Sequence, residues 1–299
     1  MKKSLLYFIL FTLCLTACKK DKKNNPPPSG KTYEVTFNVS GSGQAISSDG
    51  KQKINSLKTN AIGPAASLAK LLFYLVYDSN GALFHQIKQD STMDNFGRIT
   101  DNLPAGTYTV YIVAGEKGLS TSGEPSQFGY PNTEGPGAIW KDLFYKKLTI
   151  TVTNTAINQD VTLARVVGQL QINVEDAIPA NAAKFVVKIT DENIYFDFKN
   201  GVMGGAYGGQ INNTIPAAAI GTTNYKITRI IGNTSTPMTV QIICYDSANT
   251  IIADKTINNV NCDINVKTIL SGKLFAVSNG FVVGLNNTWD PTPYTTVGY

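Results

Sequence analysis

From Thr32 onward, apolar and polar side chains alternate with a period of two almost throughout, and no segment carries the three-to-four spacing of an amphipathic helix. Side chains on a strand point in turn to opposite faces, so this pattern calls for strands packed by one face on a core and excludes helical folds. Tyr33, Val35, Phe37 and Val39 against Glu34, Thr36 and Asn38 give a first strand that stops at Gly41-Ser42-Gly43. Residues 44–68 read as a long connection, with Gly63-Pro64-Ala65-Ala66 as a breaker. Leu71 to Tyr77 is apolar at every position, as expected of a strand covered on both faces.

Turn signals divide the rest. Asp78-Ser79-Asn80-Gly81 predicts a tight hairpin, with Asn-Gly supplying the positive-φ pair, and Leu83, His85 and Ile87 lie on the return strand. Pro104-Ala105-Gly106 turns a second hairpin between Phe96–Leu103 and Thr107–Val113. Residues 115–139, rich in Gly, Ser and Pro, form a loop too long for mere connection. Strands follow at Leu148–Val152 and Val161–Leu163. Beyond Ala164-Arg165, strands are expected at Leu170–Val174, Phe185–Ile189 and Ile194–Phe198, then a glycine-rich loop over 199–210, then Val240–Cys244 and Thr268–Val277. Val76-Tyr77-Asp78-Ser79-Asn80-Gly81 in the first half resembles Cys244-Tyr245-Asp246-Ser247-Ala248-Asn249 in the second. One such match in each half suggests two related β-sandwich domains, 32–164 and 165–299.

The start of the chain has a different character. Lys2 and Lys3 precede an apolar run, Leu5–Leu15, too short to span a bilayer comfortably and typical of a secretory signal. Leu15-Thr16-Ala17-Cys18 reads as a lipobox, with cleavage between Ala17 and Cys18 and lipid added to Cys18. Residues 1–17 are then the signal peptide and 18–31, charged and then Pro-rich, a disordered spacer holding the body off a membrane. The formal charge of +5 misleads, because residues 1–31 hold seven Lys and one Asp. The body keeps 19 basic and 20 acidic side chains, a net of −1, and offers no basic stripe for nucleic acid.

The body has little with which to do chemistry. His85 is the sole histidine, which leaves triads and multi-histidine metal sites nothing to build on; beside Leu83 and Ile87 it reads as a partly buried structural residue. Asp191-Glu192 reads as a solvated turn between two strands. Gly201–Gly209 lacks the Lys-Ser/Thr of a phosphate-binding loop, and Asp78 and Asp246 lie in no multi-carboxylate run. Cys244 and Cys262 each fall on an inward strand position and read as buried free thiols, with a bridge between them, which an oxidising compartment permits, as the alternative. No enzyme, metal or cofactor is expected.

Several stretches together resemble the fimbrillin-type anchor subunits of lipoprotein-built (type V) pili, the FimB/Mfa-like family. They are the lipobox at Cys18, Val76–Gly81, Asn95–Gly115, Val161–Val174, Asp176-Ala177-Ile178-Pro179, and Ile257–Phe275 with Trp289. The resemblance covers both halves. It implies two tandem transthyretin-like, Greek-key β-sandwich domains, attachment to the outer membrane by lipid on Cys18, exposure at the cell surface, and other fimbrial subunits as partners joined by β-strand donation. Stalk subunits of that kind are opened by cleavage after an arginine in an early loop. The body has only Arg98, Arg165 and Arg229, none of them early, so an uncleaved first domain is expected. The candidate donor strand is then Tyr294-Thr295-Thr296-Val297-Gly298-Tyr299, in which Tyr294, Val297 and Tyr299 are the marked positions. The competing reading is an adhesin lipoprotein that binds surface glycans or host proteins through loops 115–139 and 199–210, with Tyr130, Trp140 and Tyr207 as an aromatic platform.

Overall fold

The computed structural model describes residues 30–42, 62–64, 69–121, 126–130, 140–276 and 280–286. The chain divides after Lys31, and the body begins at Thr32. The first half runs through β1 (Thr32–Ser42), β2 (Ile62–Pro64), β3 (Leu71–Tyr77), β4 (Leu83–Asp90), β5 (Arg98–Pro104), β6 (Gly106–Gly115), β7 (Ser120–Thr121), β8 (Gln127–Gly129), β9 (Leu143–Val152) and β10 (Ile157–Arg165). The second runs through β11 (Gly168–Val174), β12 (Ala182–Asp197), β13 (Val202–Thr214), β14 (Tyr225–Ile231), β15 (Met238–Asp246), β16 (Ile251–Val260), β17 (Lys267–Gly272) and β18 (Val282–Asn286). A 3-10 turn, Ala217–Ala219, lies between β13 and β14.

The pairing repeats from one half to the other. In the first, β3 lies between β4 and β6, β6 pairs β9, and β1 lies between an antiparallel β5 and a parallel β10. In the second, β12 lies between β13 and β15, β15 pairs β16, and β11 lies between an antiparallel β14 and a parallel β17. Each half packs a four-stranded layer against a layer centred on its own first strand. In the first half β9 also pairs β10 at Tyr145–Ala164 and Phe144–Arg165, joining its two layers into one sheet, whereas those of the second half are separate sheets. β18 extends the second half's smaller layer beyond β17. The Tyr-Asp-Ser match that hints at duplication joins β3 to β4 in one half and β15 to β16 in the other, which are not equivalent hairpins. The likeness comes from turn chemistry. Asp78 Oδ1 accepts the amides of Asn80 and Ala82, Asp246 Oδ1 accepts those of Ala248 and Thr250, and the fourth turn residue, Gly81 or Asn249, takes positive φ. Only Gly81 of the Asn80-Gly81 pair does so, since the carboxylate already holds the turn.

Three cores result. Val35, Phe37, Leu72, Tyr74, Ile99 and Val110 fill the first half, and Ile172, Phe185, Val187, Val240, Ile242 and Leu270 fill the second. The third core is a seam between the halves, built from Phe73, Tyr111, Phe128, Trp140, Phe196 and Phe198. β3 serves two of these at once: Leu72, Tyr74 and Val76 enter the first core while Leu71, Phe73, Leu75 and Tyr77 enter the seam. That is the both-faces burial its continuous apolar sequence calls for.

Several expectations are corrected. Asp191-Glu192 is no solvated turn: β12 continues through it, with a bulge between Ile189 and Glu192. The extra residue moves the buried positions from odd (Phe185, Val187, Ile189) to even (Glu192, Phe196, Phe198). Residues 199–210 are not a loop, because β13 starts at Val202 and pairs along nearly all of β12. Its glycines make room for neighbours: a Cβ on Gly204 would come within 2.7 Å of the Tyr195 ring, and one on Gly209 within 2.7 Å of Arg229 Nη2. The connection before β3 contains β2, whose Pro64 sits on an edge strand, where a missing amide proton is tolerated. Residues 115–139 include β7 and β8, and β8 joins the second half's sheet by pairing Phe128 with Phe196.

Candidate assembly site

Strand-built assembly needs free strand edges, a chain segment able to leave its own sheet, and a body stiff enough to present both. The seam supplies the stiffness. Arg165, last residue of β10, donates from Nε and Nη2 to Asp142 Oδ1 and Oδ2 at 2.6 and 2.9 Å, and from Nη1 to Asn265 Oδ1 at 2.6 Å. Its guanidinium also lies over the Phe144 ring, 5.0 Å from the centroid. One side chain thus fastens the strand that ends the first half to the turn before β17. Burial pushes the Asp142 carboxyl above its ordinary pKa, against the opposing pull of Arg165.

A second polar cluster sits at the β12 bulge. Glu192 is fully buried, and its Oε1 accepts the amides of Asn193, Gly232 and Asn233 at 3.0, 3.0 and 2.8 Å. Burial raises its pKa, while the charge of buried Arg229 and those amides hold it down. The bulge needs Asp191 at φ 57, and the Asn233 side chain secures that position by donating to the Asp191 carbonyl. Trp140 crosses the seam to donate from Nε1 to the Asn193 carbonyl, while Tyr145 donates to the Phe198 carbonyl at 2.5 Å.

The free edges differ in character. β4 carries His85, Lys88 and Asp90, β5 carries Arg98, Asp101 and Pro104, β14 carries Lys226 and is partly covered by a bridge from Ile230 to Trp140, and β16 carries Asp254 and Lys255. Charges and proline on an edge discourage pairing with another chain. β13 and β18 carry neither. β18 also exposes Val282, Val283 and Leu285, side chains of both its faces. It is rooted by Asp176, whose carboxylate accepts the amides of Leu274, Phe275 and Ala276 at 3.0, 2.7 and 3.2 Å.

Ala17, Cys18, Trp289 and the marked tail positions Tyr294, Val297 and Tyr299 lie outside the described residues. Arg98 opens β5, whereas Arg165 and Arg229 are buried. His85 is more exposed than its strand neighbours suggest, at 51 % for the side chain, and pairs through Nδ1 with Asp101, itself 2 % exposed, at 2.7 Å. Cys244 and Cys262 are free and buried. The described residues hold no cluster of three metal-ligating side chains. The aromatic platform is not presented as one: Trp140 is buried in the seam with Tyr130 packed edge-on against it, and Tyr207 alone is exposed. The hairpin after β12 is absent from the sequence reading, although Asn200-Gly201 between Phe198 and Val202, with Gly201 at φ 71, is a turn signal of the usual kind.

A family model, fimbrillin-A associated anchor proteins Mfa1 and Mfa2, matches residues 72–297. No curated protein sequence matches the chain. Among solved structures, the fimbrial anchor protein Mfa2 from Porphyromonas gingivalis is similar with a TM-score of 0.52 at 12% identity, over 86% of this chain and 98% of that one. A candidate adhesin from Bacteroides thetaiotaomicron gives 0.53 at 13%, over 86% and 97%. A candidate polysaccharide-binding protein from the same species gives 0.53 at 10%, over 85% and 96%. At such identities these likenesses concern the fold alone.

Proposed function

The chain belongs to the family of fimbrillin-A associated anchor proteins Mfa1 and Mfa2, and on that footing we propose that it is a non-catalytic subunit that fixes a fimbria to the outer membrane. In this reading residues 1–17 are removed, Cys18 carries the lipid, and residues 18–31 space the body from the membrane at the cell surface. The body, two tandem transthyretin-like domains spanning 32–164 and 165–299, joins neighbouring fimbrial subunits by strand donation from the C-terminal segment containing Tyr294, Val297 and Tyr299. The observation that carries this reading is the family match across both halves. Two features of the body support it. β1 is paired on both sides, so the first half has no vacant place for a donor strand there. β18, the last described strand, is uncharged, and Asp176 ties down the segment that leads into it.

The test is a crosslinked pull-down of the membrane-extracted protein, read by mass spectrometry beside a chain ending at Asp290. Fimbrillin-like subunits should come down with the full chain and vanish with the shortened one. Their persistence would move the donor elsewhere, and their absence from cells expressing fimbriae would end the anchor reading. Labelling with a palmitate analogue should mark the native chain and leave Cys18→Ala unmarked.

A further inference from the structure

An anchor is pulled. If residues 18–31 are the tether, on which this inference rests, tension enters the body along the backbone at Thr32 and leaves towards the C-terminal half through Arg165. Those two points lie at opposite ends of one pair of strands. β1 and β10 run parallel in register from Val35 opposite Ile157 to Ser42 opposite Ala164. Ladder hydrogen bonds run across the strands, so tension applied at opposite ends of a parallel pair loads them all together. In an antiparallel hairpin the two ends lie side by side, and the bonds break in succession. Among the described strands only two pairs are parallel, β1 with β10 and β11 with β17, and each joins the first strand of its half to a late one.

We propose that the β1–β10 ladder is a tension clamp that carries the pull from tether to second half and shields everything between. The load passes from Thr32 through β1 into β10 and out at Arg165, so β3, β4, β6 and β9 lie inside a closed loop that tension does not reach. The clamp has reinforcement on every side. β5 pairs the other edge of β1 from Thr32 to Asn38. Val35 and Phe37 are wholly buried in the first core, so sliding β1 along its axis would drag both out of their packing. Across the ladder, Asn38 donates to Asp160 Oδ1 at 2.9 Å, and the Ser40 and Thr162 hydroxyls lie 3.4 Å apart. At the exit, the fork of Arg165 on Asp142 fixes the end of β10 to the body. β11 and β17, in register from Gln169 opposite Lys267 to Val174 opposite Gly272, repeat the arrangement in the second half.

Single-molecule pulling tests the proposal on the full mature chain carrying Cys18→Ser, which leaves no lipid. One handle is placed at Asn24 and the other at the C-terminus. A ten-residue Gly/Ser insertion after Asn154, in the exposed turn before β10, lengthens the step of the first half alone and so identifies it. The comparison places the second handle at Asn154, so only the residues before it are stretched and its step needs no marker, and the load enters and leaves at the same end of the same two strands. The first-half step should break at severalfold higher force in the end-to-end pull than in this comparison. Equal or lower force there overturns the clamp. A chain that captures fimbrial subunits but yields equal forces keeps the anchor reading and loses the clamp, and a high end-to-end force supports the clamp whatever the pull-down returns.

Discussion

Arg165 holds both oxygens of Asp142 while its third nitrogen holds Asn265, one hundred residues further along the chain. The two side chains of the pair are 7 % and 19 % exposed. Removing one partner of such a pair leaves the other charge buried, and Arg165→Ala should cost about 3 kcal/mol of stability. Arg165→Lys should recover only some of it, since an ammonium cannot reproduce the two parallel bonds of the fork. Urea unfolding followed by both tryptophan fluorescence and far-ultraviolet dichroism measures this. An Arg165→Ala midpoint equal to that of the parent would show that the fork contributes nothing.

Asp176 ties the segment before β18 by three amide hydrogen bonds. Asp176→Ala should loosen that segment by about 2 kcal/mol, since bonds to a charged acceptor are the stronger kind. Amide exchange at Leu274, Phe275 and Ala276 should then quicken by roughly thirtyfold, at about 1.4 kcal/mol per tenfold. Exchange in β3, across the molecule, should not change. A uniform change everywhere would mean that the substitution acts on the whole fold instead.

Gly232 lies against the Trp140 indole, and a Cβ there would overlap the ring. Gly232→Ala should displace Trp140 from its bond to Asn193 and cost about 1–3 kcal/mol, the range for overpacking. With Trp289 replaced by Phe, the emission reports Trp140 alone and should shift to the red. An unshifted spectrum would place the strain elsewhere.

Cys244 and Cys262 should resist thiol reagents at pH 8 in the folded chain and react at once, without a reducing agent, when urea is added. Burial pushes their pKa values up to about 11 and about 12. Between pH 9 and 11 the unfolded chain has released protons that the folded chain still holds. Stability must therefore fall as pH rises through that window. Tyr74, Tyr130 and Tyr145, also pushed upward by burial, act in the same direction. Urea midpoints at pH 8 and 10.5 measure the fall, which Cys262→Ala should reduce. A flat profile would contradict the burial of these groups.

The alternation that defines β1, β3 and β6 is visible in the sequence because each packs against a continuous core, and inward positions then have to be apolar at every second residue. The β12 bulge is not visible in the same way. Asp191-Glu192-Asn193 has the composition of a surface turn, and what makes Glu192 an interior residue is a pair of amides at Gly232 and Asn233, forty residues away. The glycines of β13 mislead for a related reason: they are small because Tyr195 and Arg229 lie across them, and a string of residue types records the vacancy without its occupant. The turn motif that suggests duplication falls on non-equivalent hairpins, whereas the actual repeat lies in the order of strand pairing, which no single motif carries.

The pairing of β8 with β12 bears on how such a protein can be inherited. The second half's sheet is finished by a segment encoded within the first, and Phe128 from that segment packs against Phe198 in the seam. Cut from its neighbour and fused to another protein, the second half would reach its new setting with Phe196 and Phe198 uncovered. Recombination should therefore move the two halves together, as one gene segment, and lineages of this body should diverge by substitution and by changes in their exposed turns sooner than by exchange of halves.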